Sequence, residues 1–291
     1  MRLVLFLIWA AACAAVARAQ DTRVILLGTG TPNPEPDRMG PAVAVVTGDH
    51  VYLVDCGAGV VRRAVQAGIR TDQLTRVFIT HLHSDHTVGC PDLMLTPPNS
   101  ERVDPLEIYG PPGVRAMTLN LLLAFKEDLD IRLNRTQPAN RRGFEVNAHE
   151  VQPGEVYRDS AVRVTPFSVP HGDWKYAYGY RFEAGGKTIV ISGDTTYSPK
   201  LAEIAKGCDI LVHEVYSQKG WEHRAPYWQR YHAAYHTSAP DVGRIAAQAL
   251  PRKLVLYHLL PMGESPEQVL REVREHYNGE IIYGKDLDVI R

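Results

Sequence analysis

The 291-residue chain has few cysteines, almost no net charge and, beyond its first residues, no long hydrophobic run. Of its four cysteines, Cys13 falls in the N-terminal apolar segment, which leaves Cys56, Cys90 and Cys208. An odd number cannot pair completely, so no disulfide framework is encoded and at most one bridge can form. Stability has to come from a buried core. The 32 basic residues are matched by 33 acidic ones. That balance offers no positive field to hold a phosphate backbone, so nucleic acid is not expected as the main partner. After residue 19 no apolar stretch approaches the roughly 20 residues that span a bilayer, so no stable membrane association is expected of the processed chain.

What is present begins with a leader. Met1-Arg2 gives a short positive start, Leu3 to Ala17 is uninterruptedly apolar, and Ala17-Arg18-Ala19 places small residues where a signal peptidase reads them. Residues 1–19 are expected to be a cleaved signal peptide, with residues 20–291 exported to the periplasm or secreted. Without repeats or a Gly/Pro-rich linker, residues 20–291 read as a single domain.

Short β-rich runs alternate with helical segments through both halves. Val24–Leu27, Ala42–Thr47 and Val51–Val54 read as strands, the last two as a hairpin around Gly48-Asp49-His50. Further strands are expected at 76–80, 106–109, 161–167, 178–183, 187–192, 210–215 and 253–257. Helices are expected at 60–67, 114–130, 199–206, 241–249 and 265–275, with a polar surface loop over 132–142. Such alternation suggests sheets covered by helices, an α/β or α+β layered architecture.

Directly after the strand at 76–80 stands "HLHSDH", with His81, His83, Asp85 and His86 inside six residues. Imidazole is the commonest protein ligand for zinc-like cations, and a carboxylate adds an oxygen donor. In this pattern His81 and His83 can face one ion while Asp85 and His86 face another. A single structural zinc is a poorer account, because structural sites favour thiolates. Other donors at strand ends are His171 in "SVPHGDW", Asp194 in "IVISGDTT" and His258 in "LVLYHLLP".

As an ordered set these residues resemble the metallo-β-lactamase superfamily, whose fold is a four-layer αββα sandwich of two mixed sheets flanked by helices. The resemblance implies a first metal on His81, His83 and His171, a second on Asp85, His86 and His258, and Asp194 bridging both. The cofactors it implies are two divalent ions, Zn2+ foremost, with Mn2+ or Fe as alternatives. An aspartate at the bridging position is unlike the true β-lactamases and similar to hydrolases of phosphoesters, sulfate esters, thioesters and lactones. "LLGTGTP", "YLVDCGAG", "LVHEVY" and "HTSAPDVGRIAAQALPRKLVLYH" further resemble the ribonuclease Z group. That likeness makes His236 a histidine that acts on substrate oxygen, oriented by Glu214. It also carries over a homodimer as an expected assembly.

One departure is plain. Ribonuclease Z inserts a long tRNA-gripping arm between the third metal histidine and the bridging aspartate, and the segment from His171 to Asp194 has no room for it. The expectation is therefore a binuclear hydrolase of phosphodiester or aryl sulfate esters, acting on a small-molecule ester. A water activated between the metals attacks, Asp85 also serves as a proton acceptor, and His236 and Glu214 assist the leaving group. Lactonase or β-lactamase-like hydrolysis, ribonuclease Z-type RNA cleavage and non-catalytic metal binding are the alternatives. Arg38, Trp174, Trp228 and Tyr231 are candidate substrate contacts. Trp228, Tyr231 and Tyr235 share one helical face, which suits either an aromatic wall or a helix packed on the domain. Asp55 is expected to support the metal loop from behind.

Overall fold

In the computed structural model, residues 21–137 and 139–291 are described; the expected leader, residues 1–19, lies outside them. The first half builds β1 (Thr22–Gly28), β2 (Ala42–Thr47), β3 (His50–Val54), β4 (Arg76–Phe78), β5 (Leu106–Gly110) and β6 (Val146–Glu150). The second builds β7 (Tyr157–Arg158), β8 (Val162–Ser168), β9 (Tyr178–Ala184), β10 (Lys187–Ile191), β11 (Ile210–Tyr216), β12 (Lys253–Leu260) and β13 (Ile281–Tyr283). A last strand, β14 (Val289–Ile290), returns beside β1. The result is two 7-stranded sheets, ordered β14-β1-β2-β3-β4-β5-β6 and β13-β12-β11-β10-β9-β8-β7. Both are mixed: β1–β2–β3 and β7–β8–β9–β10 pair antiparallel, while β3–β4–β5–β6 and β10–β11–β12–β13 pair parallel.

The strands read as continuous apolar runs because both faces are buried. Along β1, Val24 and Leu26 enter the layer between the sheets, with Val43, Tyr52, Tyr180, Phe182, Val212 and Val255. Ile25 and Leu27 point the other way, under helices that contribute Val60, Val61, Leu93 and Val114. The outer face of the second sheet is covered in the same way by Leu201, Val242, Ile245, Val269 and Val273. This is the expected four-layer αββα arrangement. Cys56, Cys90 and Cys208 are buried and free. Among the described residues no helix is long and apolar enough to cross a membrane.

The expected helix 114–130 is two, Val114–Ala124 and Lys126–Asn134, separated at Phe125 (φ −102°, ψ 18°). No glycine or proline marks that break, and the second helix consumes the start of the expected loop. The strand expected to end at 257 continues to Leu260. Strands β6, β7, β13 and β14 were not legible in sequence: three are two or three residues long, and β6 is a half-exposed polar edge.

A half-buried latch joins the sheets away from the site. Asp159, beside β7, accepts hydrogen bonds from the Tyr52 hydroxyl of β3 (2.7 Å), the Tyr157 hydroxyl (2.8 Å) and the Ala161 and Val162 amides (2.8 and 2.9 Å). Burial works to raise its pKa, and these donors outweigh burial and lower it. A depressed folded-state pKa contributes stability above the unfolded value that is lost as pH falls through the folded one. Asp159→Asn should therefore cost about 2 kcal/mol at neutral pH by leaving a hydroxyl without its acceptor, and less in acid, as denaturant titrations at both pH values would measure.

Candidate metal centre

The donors converge from loops at one end of both sheets. Asp55, which closes β3 with φ 61°, accepts from the Thr80 amide (2.8 Å), the Thr80 hydroxyl (2.9 Å) and His86 Nδ1 (2.8 Å). The Thr80 hydroxyl in turn lies 3.0 Å from His81 Nδ1. With Nδ1–H used in this way, His81 and His86 each keep a lone pair on Nε2. His171 does likewise, its Nδ1 donating to the Tyr235 carbonyl at 2.7 Å. His83 presents Nδ1, 2.9 Å from His81 Nε2 and 3.2 Å from His171 Nε2.

Asp194 follows β10 through Gly193, whose φ of 61° and whose missing side chain are both required: a Cβ there would meet the Tyr178 carbonyl oxygen at 2.5 Å. Asp194 Oδ2 lies 3.3 Å from His86 Nε2, 3.3 Å from His258 Nε2 and 3.9 Å from His81 Nε2. His258 Nε2 is also 3.3 Å from Asp85 Oδ2. His258 is not at a strand end. It is the extra residue of a bulge in β12, where the register with β11 shifts after Tyr257↔Glu214, and it adopts φ 43°. The bulge turns His258 into the site while Leu259 and Leu260 resume pairing.

The side-chain donors of His81, His83, His171 and Asp194 form one group, and those of Asp85, His86 and His258 a second, each within 4.8 Å. These spacings suit cations: ligands at 2.0–2.1 Å around a tetrahedral ion stand about 3.4 Å apart. His86 Nε2, Asp194 Oδ1 and His258 Nδ1 are buried without a protein hydrogen-bond partner, a cost that coordination by Nε2 and Oδ1 would relieve. Electrostatics agree. Burial holds His81 well below the usual imidazole range and lowers His171 to about 4, so both are neutral donors. Burial opposes charge on His86 too, but Asp194, Asp55 and Asp85 outweigh it and push its pKa well up. Burial likewise pushes Asp194 up, and His258 and His86 overcome it to hold this carboxyl well below its ordinary value. Anionic carboxylates facing protonatable imidazoles are the charge pattern a divalent cation satisfies, with release of protons.

Behind the donors, Glu214 on β11 is fully buried; its Oε1 accepts from the Thr237 amide at 2.8 Å and the Thr195 amide at 3.3 Å. Its Oε2 stands 3.4 Å from His236 Nδ1, and neither atom has a protein hydrogen-bond partner. Burial pushes Glu214 well up and His236 down to about 4. Burial thus favours the acid form of Glu214 and the neutral form of His236.

A cavity of about 310 Å³ opens onto Asp85, Asp194, His236 and His258. Trp228 and Tyr231 line it. Trp174 does not; its indole N–H donates to His83 Nε2 at 2.8 Å, which holds the ring in place but leaves the proton of neutral His83 on Nδ1. Arg38 borders an adjoining cavity that shares Pro32, Asn33, Ser84 and Asp85, but its guanidinium is committed to the Thr29 hydroxyl, the Gly284 carbonyl and Glu35. Arg224 and His232 also line the cavity and were not among the sequence candidates. The Nδ1 of His232 donates to the Trp228 carbonyl at 2.8 Å.

The description "Beta-lactamase superfamily domain" matches residues 50–259. Ribonuclease Z of Mycobacterium marinum is 34% identical over 271 residues, covering 91% of this chain and 96% of that protein. The chain belongs to the β-lactamase superfamily, in its ribonuclease Z-like group. Among solved structures, the metallo-β-lactamase fold protein YhfI of Bacillus subtilis superimposes with a TM-score of 0.72 at 20% identity, covering 92% of this chain and 98% of that one. Human tRNase Z, short form, gives 0.70 at 22% identity, with the same coverage of each. Members of this superfamily are metal-dependent hydrolases. The mycobacterial relative matches nearly end to end, so lack of a long arm does not set this superfamily member apart from it.

The back of the centre offers its own test. Asn at Asp55 would aim an amide N–H at His86 Nδ1–H or give up a Thr80 contact. Asp55→Asn is expected to weaken metal binding about 10–100-fold without unfolding the chain, measured by competition with a chromophoric chelator.

Proposed function

We propose that the protein is a binuclear metal-dependent hydrolase of phosphodiesters, with aryl sulfate esters as the neighbouring class. His81, His83 and His171 would hold one cation, Asp85, His86 and His258 the other, and Asp194 both. Such a pair would supply an activated water and charge neutralisation at the ester oxygens. Asp85, at the cavity wall, is positioned to take the water's proton. His236 is the observation that carries the reading: it lines the cavity beside Asp194 and His258, lies outside the two donor groups assigned to the cations, and is backed by a buried acid. With a proton on Glu214 and the 3.4 Å gap between Oε2 and Nδ1 closed to a hydrogen bond, His236 would accept at Nδ1 and donate from Nε2. A proton can then pass from Glu214 through the imidazole to the departing oxygen. Metal storage has no use for this relay.

A small-ester substrate is supported by the size of the cavity. Export, read from residues 1–19 alone, belongs to the same proposal. A second reading is ribonuclease Z-type cleavage of RNA, favoured by the name of the mycobacterial relative. One panel separates them: bis(4-nitrophenyl) phosphate, 4-nitrophenyl sulfate, a lactone, nitrocefin and a 3′-extended tRNA precursor, each with zinc and with manganese. Turnover of the aryl esters and not of the RNA is the expected result. Efficient tRNA processing moves the function to the second reading, and turnover of only the lactone or nitrocefin overturns both.

A further inference from the structure

We propose that Arg224, Trp228 and Tyr231 form a second subsite in the same cavity, which grips an aromatic group carrying its own anionic substituent. The reading deepens the hydrolase proposal by naming a substrate class, and rests on it for the cation pair that would meet the charge of the reacting ester.

The helix Pro226–Tyr235 buries only His232. Tyr227, Trp228 and Tyr231 are 61%, 40% and 37% exposed, so its aromatic face is not core. The helix that carries these rings is anchored at its first turn. Trp221 Nε1 donates to the Gln229 carbonyl at 2.9 Å, and Gln229 Nε2 donates back to the carbonyls of Trp221 (3.2 Å) and Glu222 (3.0 Å). Tyr231 stacks on Tyr235 with centroids 4.5 Å apart. Tyr235 covers Gly172, next to His171, so closely that a Cβ there would meet its ring at 2.1 Å, and its hydroxyl donates to Asp173 at 3.0 Å. The shelf is thereby tied to the metal loop itself. Trp228 stands at 82° to Tyr231, 5.7 Å away, so the two present a corner of aromatic faces.

Arg224 lines the cavity at the start of this element. Among the described residues its guanidinium has no ion pair, in contrast to Arg38 next door. An ester's single charge would be met at the paired cations, which leaves the guanidinium for a different anionic group. Its planar fork suits a carboxylate or a phosphate, and the neighbouring rings suit a flat arene. Nucleotides and aryl carboxylates share this chemistry.

The test is binding by the intact protein, read by tryptophan fluorescence and calorimetry, with two matched pairs: adenosine against adenosine 5′-monophosphate, and phenol against 4-hydroxybenzoate. In the wild type the charged member of at least one pair should bind about tenfold tighter, the scale of one charge-assisted contact. R224E should abolish that preference, R224K should retain part of it, and W228A should weaken both members of the pair alike. The pair with the larger preference names the ring. Circular dichroism and metal content should be unchanged in R224K, which guards against misfolding. A preference equal in wild type and R224E, assigning it to the metals alone, overturns the subsite, as does a preference in neither pair. If the ester panel shows no turnover while the R224E loss appears, the hydrolase reading fails and the subsite stands.

Discussion

Asp194→Ala will empty both cation seats at once. Its Oδ2 stands within 3.3 Å of donors from the second group and 3.9 Å of His81 in the first, so no other single carboxylate serves both. Metal content, measured on intact protein by elemental analysis, is expected to fall from about two ions per chain to less than one. Turnover should fall by more than about 10³-fold, at least the scale on which charge stabilisation is lost when one oxyanion donor is removed. Retention of two ions by the variant would refute the bridging role. In the wild type the same charges give a pH sign. His86 and His258 are raised in pKa by their carboxylates, so binding must displace protons and affinity should climb with pH.

His236→Ala will do the opposite: both metals stay and turnover goes. The loss should be on the order of 10²–10⁴ for alkoxide leaving groups, which need a proton, and far smaller for 4-nitrophenolate, which does not. Because burial lowers His236 to about 4, no limb near the ordinary imidazole value is expected in the pH–rate profile. The alkaline limb belongs to Glu214, whose acid form is favoured by burial. Above that raised pKa the relay has no proton to pass, so the rate falls as pH rises. Glu214→Gln can hydrogen-bond the imidazole but cannot supply a proton, so the alkaline limb should vanish with metal content unchanged. An equal loss for both leaving groups would reduce His236 to a packing role.

The parts of this centre that were legible in sequence are those with a local signature. HLHSDH follows a β-rich run, and His171, Asp194 and His258 follow or punctuate others, so burial periodicity located the strands and the strands located the donors. What was not legible depended on three dimensions. Trp174 reads as one more aromatic beside a candidate ligand, and only the fold turns its N–H onto His83. Arg38 and Arg224 look alike in sequence; one is bound by Thr29 and Gly284, residues remote from it in the chain or in another loop, and the other is left unpaired. The bulge at His258 has no glycine to announce it, since the residue that needs the unusual backbone is the ligand itself. The short edge strands fail for a simpler reason: a two- or three-residue strand has no periodicity to detect.

The donors are divided between the halves of the sandwich. His81, His83, Asp85 and His86 follow a strand of the first sheet, whereas His171, Asp194 and His258 belong to the second. An ion shared among them would act as a rivet through the interface, seated only when the two layers are in register. Saturation at about 1,000 times the dissociation constant adds roughly 4 kcal/mol to the folded state. Chelation would then shear the layers before it dissolves either one, and thermal midpoint would report metal supply.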